Sequence, residues 1–246
     1  MSTKPKMQDI LLLFEVLRNA PYAPAAFATS FGAEDMVLTD LIAKRAPWIE
    51  IFTLDTGRLP EETYRLMQET LNRYSLPIKI YFPEDLAVEH YVQAHGPNAF
   101  YESQALRKAC CHMRKVEPLR RALQGKKAWL TGMRQAQSPS RQGLAVHQWD
   151  EIHALHKFNP LAAWHNDEVW DYIRQFEVPY NHLHDQGYPS IGCAPCTRAI
   201  SPGQDIRAGR WWWEGADTKE CGLHIVDGEL IRVKLAAAPK AAEQME

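Results

Sequence analysis

An excess of charge of either sign is missing from this 246-residue chain: 28 lysines and arginines against 30 aspartates and glutamates leave a formal net charge of -2. No overall field draws it to nucleic acid or to an anionic membrane surface. Long apolar runs are missing too. The most apolar stretch, ILLLFEV at 10–16, is broken by Glu15 and is too short to span a bilayer. The opening MSTKPKMQDILLLF lacks the apolar core and small-residue cleavage site of a signal peptide. A cytoplasmic protein with no membrane or nucleic-acid partner is the expectation. Cysteine is scarce and odd in number: Cys110, Cys111, Cys193, Cys196 and Cys221. An odd count in a reducing compartment argues against a disulfide framework and for metal binding or thiol chemistry. There is no internal repeat.

What is present suits one α/β domain with an appended segment. Apolar residues make up 46% of the chain, enough for a sizeable core. MQDILLLFEVLRNA predicts an opening helix, stopped by Pro21 and Pro24. AAFATSF reads as a strand. GAEDMVLTDLIAKRA follows as a helix, with Met36, Val37, Leu38, Leu41 and Ile42 mostly on one side. WIEIFTLD is a second strand and PEETYRLMQETLNRYS a helix with Pro60 at its start. IKIYFP is a third strand, DLAVEHYVQAHG a short helix, and helical pattern runs on through AFYESQALRKACCHMRKVEPLRRAL. KAWLTGM is a fourth strand, and LAVHQWDEIHALHKFNPLA carries further strands. NDEVWDYIRQF is a late helix, with Asn166 as its N-cap and acids in its first turn. Beyond Pro179 the chain becomes loop-rich. Such alternation predicts a mostly parallel sheet covered on both faces, with ligand beyond the carboxyl ends of its strands. The loops SFGAED, LDTGRLP and TGMRQAQS lie there.

Several stretches carry chemistry. In SFGAED, helix-start N–H groups and the Ser30 hydroxyl make an anion site, or else an ordinary capped turn. No Walker lysine is present, which disfavours a standard P-loop NTPase. In LDTGRLP, Asp55 can accept from a ribose or base, Gly57 permits close approach and Arg58 could meet an anion; alternatively Asp55 and Thr56 serve the turn. The CC at 110–111 and the CAPC at 193–196 supply four thiols, the set that an iron-sulfur cluster or a zinc ion needs. Adjacent cysteines diverge on a helix, which favours a cluster with separate iron corners. Lys115, four residues after Cys111, shares its helical face. Arg207 and Arg210 are three apart and can face one anion. The triple tryptophan 211–213 reads as a packing plug, or as a protein contact. His184 could reach a ligand, but the histidines show no familiar metal spacing. Cys221, in KECGLHI near the end of the chain, suits a thiol that must reach both a substrate and a partner. Lys219 and His224 are the local cations that would lower its pKa.

Together, SFGAEDMVLTD, LDTGRLPEETY, CCHMRK, GYPSIGCAPCTRAI, GQDIRAGRWWWE and KECGLH resemble the assimilatory adenylyl-sulfate reductases, the iron-sulfur branch of the phosphoadenylyl-sulfate reductase family. The resemblance implies a doubly wound α/β fold, like the adenine-nucleotide α-hydrolases with their modified phosphate loop. It implies a nucleotide-binding domain over 1–205 and a flexible C-terminal segment over 206–246. It implies a 4Fe-4S cluster on Cys110, Cys111, Cys193 and Cys196, and Cys221 as nucleophile. The matching positions imply a substrate set of Ser30, Phe31, Gly32, Leu54, Asp55, Thr56 and Gly57, with Lys115, Arg134, Arg207, Arg210 and His224. The implied substrate is adenosine 5'-phosphosulfate, or alternatively its 3'-phosphorylated form, and the donor is thioredoxin or a glutaredoxin-like protein. A homo-oligomer is possible. TGMRQAQS departs from the family's more basic stretch, with Gln135 and Ala136 where an arginine and an acid are common. Other classes remain: an ATP-dependent thiolation enzyme would want a fuller SGGxDS loop, and a zinc-stabilised binding module would not need Cys221.

Overall fold

The computed structural model describes residues 4–138 and 141–215, and two short strands at 225–226 and 229–230. Helix α1 (Lys4–Leu17) ends ahead of the two prolines. Strand β1 (Ala25–Thr29), helix α2 (Ala33–Arg45), strand β2 (Glu50–Leu54), helix α3 (Glu61–Tyr74) and strand β3 (Ile78–Tyr81) then alternate. Helices α4 (Asp85–His95), α5 (Gln104–Cys111) and α6 (Glu117–Leu123) precede β4 (Ala128–Leu130). The hairpin β5 (His147–Asp150) and β6 (Leu155–Phe158) leads to α7 (Asn166–Gln175); β7 (Ile225–Val226) and β8 (Glu229–Leu230) pair with each other.

The main sheet runs β3-β2-β1-β4-β6-β5. Every neighbouring pair is parallel except β5 with β6. The chain winds outward from β1 to β3, then returns to β4 on the other side of β1. The expected doubly wound sheet is present, and its crevice opens between β1 and β4, the switch point at which such folds bind ligands. One face packs Ile10 and Phe14 of α1, Leu66 of α3 and Val169 and Ile173 of α7 into the larger core; the other packs Leu119, Ala122 and Leu123 of α6 on Phe52 and Trp129.

Helix α2 departs from the one-sided pattern expected of it. Nine of its residues from Ala33 to Ile42 are buried, including Asp35, Thr39 and Asp40. Asp40 is fully enclosed and holds three neighbours: Tyr74 donates to it at 2.7 Å, Tyr172 at 2.8 Å, and Lys44 pairs at 2.7 Å. A buried carboxylate is tolerable only with such partners. This one joins α2, α3 and α7, so α2 is a central helix that reads as amphipathic only in part. The N-cap of α7 is His165, one residue before the expected Asn166. Glu168 reaches back to accept the His165 backbone N–H at 2.8 Å, which closes a capping box one position earlier. The expected division at 205/206 falls within packed structure: Arg210 bridges to Thr197 and Trp211 is 1% exposed.

Candidate functional site: two cavities with a common wall

A cavity of about 960 Å³ lies at the carboxyl ends of β1, β2 and β4. Ser30 and Gly32 line it from the β1 loop, Leu54 and Thr56 from the β2 loop, and Gly132 and Arg134 from the β4 loop. Lys115, His184, Arg207 and Arg210 complete it from the other side. Its volume suits a nucleotide-sized ligand.

Three expected members of the substrate set do not line it. Phe31 turns the strand into the helix with φ 60°, and its ring is buried in the larger core. Asp55 is 5% exposed and spent on its own turn: it accepts the Gly57 N–H at 2.7 Å and the Tyr64 hydroxyl at 2.9 Å. Gly57, at φ 67°, passes beside Arg114. An aspartate two residues before a glycine satisfies the turn's own donor more easily than it reaches a ligand. Arg58 is likewise engaged away from this cavity. It donates to Pro97 O at 2.5 Å and to Asn98 Oδ1 at 3.0 Å, and it sits over Phe100.

The residues that do line the cavity have different freedoms. Ser30 is tied inward: its N–H and hydroxyl both donate to Asp35, at 2.6 and 2.7 Å. Arg134 is 2% exposed and clamped on Glu34, at 2.8 Å through Nε and 2.5 Å through Nη2. It therefore braces the floor. Arg210 hydrogen-bonds Ile191 O at 3.3 Å, and Gly192 allows that approach, because a Cβ there would meet its Nη2 at 2.3 Å. Burial holds the His184 ring below the usual histidine range, edge-on to Trp170.

The four cysteines converge. Cys110, Cys111, Cys193 and Cys196 line a second, small cavity together with Arg58, Arg107, Arg114 and Lys115. All four are free thiols. Burial pushes the Cys196 thiol up to about 12, reinforced by Cys193 and opposed by the charges of Arg210 and Lys115. Burial also raises Cys110. Among the described residues, no three His, Cys, Asp or Glu side chains close on a point that could hold one metal ion.

Local sequence explains how the pair 110–111 reaches its partners. Pro118 has no N–H for the Arg114 carbonyl, and the helix widens just ahead of it into a π turn over His112–Val116. Lys115 sits in that wide turn and lines both cavities. The shared face expected for Cys111 and Lys115 is thus reached through a π turn and not through regular spacing. Thr56 also joins the two sites: it lines the large cavity, its hydroxyl lies 3.3 Å from Cys193 Sγ, and its carbonyl accepts from Arg114 at 2.6 Å.

Trp211 plugs the cysteine layer, as the packing reading of the tryptophan run expects. It packs with Phe100, Cys111 and Cys196, and its ring meets the guanidinium groups of Arg107 at 4.6 Å and Arg210 at 4.8 Å. Glu214 closes the arrangement through two 2.8 Å bonds to Arg107. Sequence reasoning missed Arg107, Arg114 and Glu214. A signal exists for two of them: Arg107 with Cys111, and Cys110 with Arg114, are both spaced i,i+4. Cys221 and His224 lie outside the described residues.

Residues 24–199 match the family model for the phosphoadenosine phosphosulfate reductase domain. The chain belongs to this family. The adenosine 5'-phosphosulfate reductase of Allochromatium vinosum is 57% identical over 87% of this chain and 83% of its own length. The enzyme of the same name from Burkholderia cepacia is 55% identical over 81% of this chain and 80% of its own. Among solved structures, the phosphoadenylyl-sulfate reductase of Candida auris, in a phosphate complex, superimposes with a TM-score of 0.64 at 30% identity, covering 81% of this chain and 98% of that one. The FMN adenylyltransferase of Candida glabrata, at 17% identity and a TM-score of 0.54, covers 92% of this chain and 79% of that one and shares the fold alone. The family read from the motifs is the family matched, and the doubly wound sheet agrees with it. Among the described residues no helix is long and apolar enough to cross a membrane.

Proposed function

We propose that this protein reduces adenosine 5'-phosphosulfate to sulfite and AMP, in sulfate assimilation in the cytoplasm, with Cys221 as nucleophile. The observation that carries the reading is the common wall: four thiols gathered around one small cavity stand beside a nucleotide-sized cavity at the switch point, with Lys115 lining both and Thr56 of the large cavity touching Cys193. The names of the relatives point the same way.

The chemistry of the residues lining the cysteine cavity suits a 4Fe-4S group. Four free thiols line that cavity, the donor set that a cluster with four iron corners takes. Four cationic side chains stand around it, matched to the negative charge of a thiolate-bound cluster. Cys110, Cys111, Cys193 and Cys196 would hold it. The group would supply a fixed local field and hold the 193–196 loop in place.

The chain's own residues account for the chemistry. Lys115, Arg207 and Arg210 neutralise the phosphosulfate, and the α2 N-terminus adds backbone donors. The Cys221 thiolate attacks the sulfate sulfur. An S–S bond forms, the S–O bond to the phosphate breaks, and AMP leaves with the electron pair. A thiolate of thioredoxin, or of a glutaredoxin-like protein, then attacks Cys221 Sγ and expels sulfite. Its second thiol resolves the mixed disulfide, so the donor dithiol supplies both electrons and Cys221 returns as a thiol.

The test is anaerobic purification, a visible spectrum, and incubation with sulfur-labelled adenosine 5'-phosphosulfate without a thiol donor. Brown protein that retains label, with retention lost in Cys221→Ser, is expected. Colourless protein that retains none would sink the proposal. Relative turnover of the 3'-phosphorylated nucleotide separates this activity from that named for the Candida auris relative.

A further inference from the structure

The loop that should receive an anion already holds one of its own. Asp35, in the first turn of α2, is 8% exposed and lines the large cavity. Its Oδ2 accepts both Ser30 donors, the N–H at 2.6 Å and the hydroxyl at 2.7 Å. Its Oδ1 stands so close to Gly132 that a Cβ there would lie 2.1 Å away, and the Gly132 backbone also hydrogen-bonds the carboxylate. Asp35 therefore spans the β1/β4 crevice and consumes donors that such a loop offers to its ligand.

We propose that Asp35 is a positioning residue that stands in for the ligand anion in the free protein and takes up a proton when the phosphosulfate binds. The inference deepens the reductase reading and rests on it. A Ser30 hydroxyl whose hydrogen points at a carboxylate shows a ligand only lone pairs, which repel anionic oxygens. One proton from solvent on Oδ2 reverses the pair. The carboxylic O–H then donates to Ser30 Oγ, and the serine hydrogen turns toward the ligand.

The surroundings favour that exchange. Burial, with a smaller contribution from Glu34, raises the carboxyl to about 6 against the lowering effect of its Ser30 and Gly132 bonds. A second anion beside it raises it further. Glu34, on the same helix, is ion-paired with Arg134 from the β4 loop. Arg141, Lys115, Arg207 and Arg210 line the cavity from the other elements. Arg174, His184 and Asp185 line the same cavity from α7 and the loop after it.

The test uses the full chain carrying Cys221→Ser, so that adenosine 5'-phosphosulfate binds without turnover. This nucleotide has no group titrating near neutrality, whereas a phosphate monoester such as AMP titrates near about 6. Calorimetry in buffers of different ionisation heat counts the protons. Uptake of most of one proton at pH 7 is expected, with affinity falling about tenfold between roughly pH 6.5 and 8.5. Adding Asp35→Asn, which cannot titrate, should remove both effects. Uptake near zero in the parent, or the same uptake with Asn at 35, overturns the proposal. Should Asp35→Asn fail to fold, Ser30→Ala takes its place, and uptake unchanged by that substitution is equally fatal. No binding by the parent at any pH would instead remove the reductase reading itself.

Discussion

Removing the Glu214 carboxylate strands a guanidinium. Arg107 and Glu214 have side chains only 1% and 5% exposed and share two 2.8 Å bonds, so neither group has water to fall back on. Breaking such a pair from one side costs about 3–5 kcal/mol, because the remaining charge stays buried. Two neighbours soften the loss here. The Trp211 face keeps its contact with Arg107, and Cys111 is close enough to bond it. For Glu214→Ala we expect about 3 kcal/mol, and for Glu214→Gln, which keeps one acceptor, about 1–2 kcal/mol. Urea unfolding, anaerobic and at matched iron content, reads this as a midpoint lowered by about 1 M or more in the alanine variant. The double variant Arg107→Leu/Glu214→Leu should be more stable than Glu214→Ala, since no orphan charge remains. A loss below about 1 kcal/mol in Glu214→Ala, or a double variant as poor as the two singles combined, would refute the assignment of a buried, mutually dependent pair.

Other outcomes follow from particular contacts. Burial holds Lys157 down at about 8, far below an ordinary lysine, so the fold disfavours its charged form. Lys157→Met should therefore raise stability at pH 7 by roughly 1–3 kcal/mol. That gain should shrink as pH rises from about 8 toward 10.5, where the unfolded chain also loses the proton, and melting curves across this window check the sign. Gly209→Ala should cost about 1–3 kcal/mol in a chemical melt, because its Cβ would lie 2.2 Å from the Arg198 carbonyl. Lys115→Gln should lower kcat/KM for adenosine 5'-phosphosulfate by about tenfold to a hundredfold while leaving the protein brown, as loss of one charged hydrogen bond predicts. Colour lost together with activity would make Lys115 a support of the cysteine site instead.

Local pattern carried the architecture further than it carried the site. Strand and helix alternation is written in the apolar periodicity, which also gives strands within 144–162 but not their antiparallel pairing as a hairpin. Burial of α2 on every side was hidden, since Asp35, Thr39 and Asp40 look like a polar face until Ser30, Tyr74 and Tyr172 arrive to satisfy them. The grouping of Cys110, Cys111, Cys193 and Cys196 around one cavity was legible because spacing and residue type are both restrictive. Asp55 stayed ambiguous because an aspartate that serves its own turn is written identically to one that serves a ligand. Glu214 gave no local signal at all: its partner lies 107 positions away, and only the folded chain places the two together.

The layer around the four thiols has a consequence for biogenesis. One wall comes from residues near 100–115, the other from 193–198, and the Trp211 lid comes later still. A ribosome adding about 5–20 residues per second needs roughly 4–16 seconds to pass from the first cysteine pair to the second. Through that interval Cys110 and Cys111 have neither of their later sulfur neighbours nor the indole that covers them. Iron loading by the arrangement proposed here would therefore be a late, post-synthetic event. The growing chain would need a carrier or a low-oxygen environment to keep adjacent thiols reduced until the far end of the sequence closes over them.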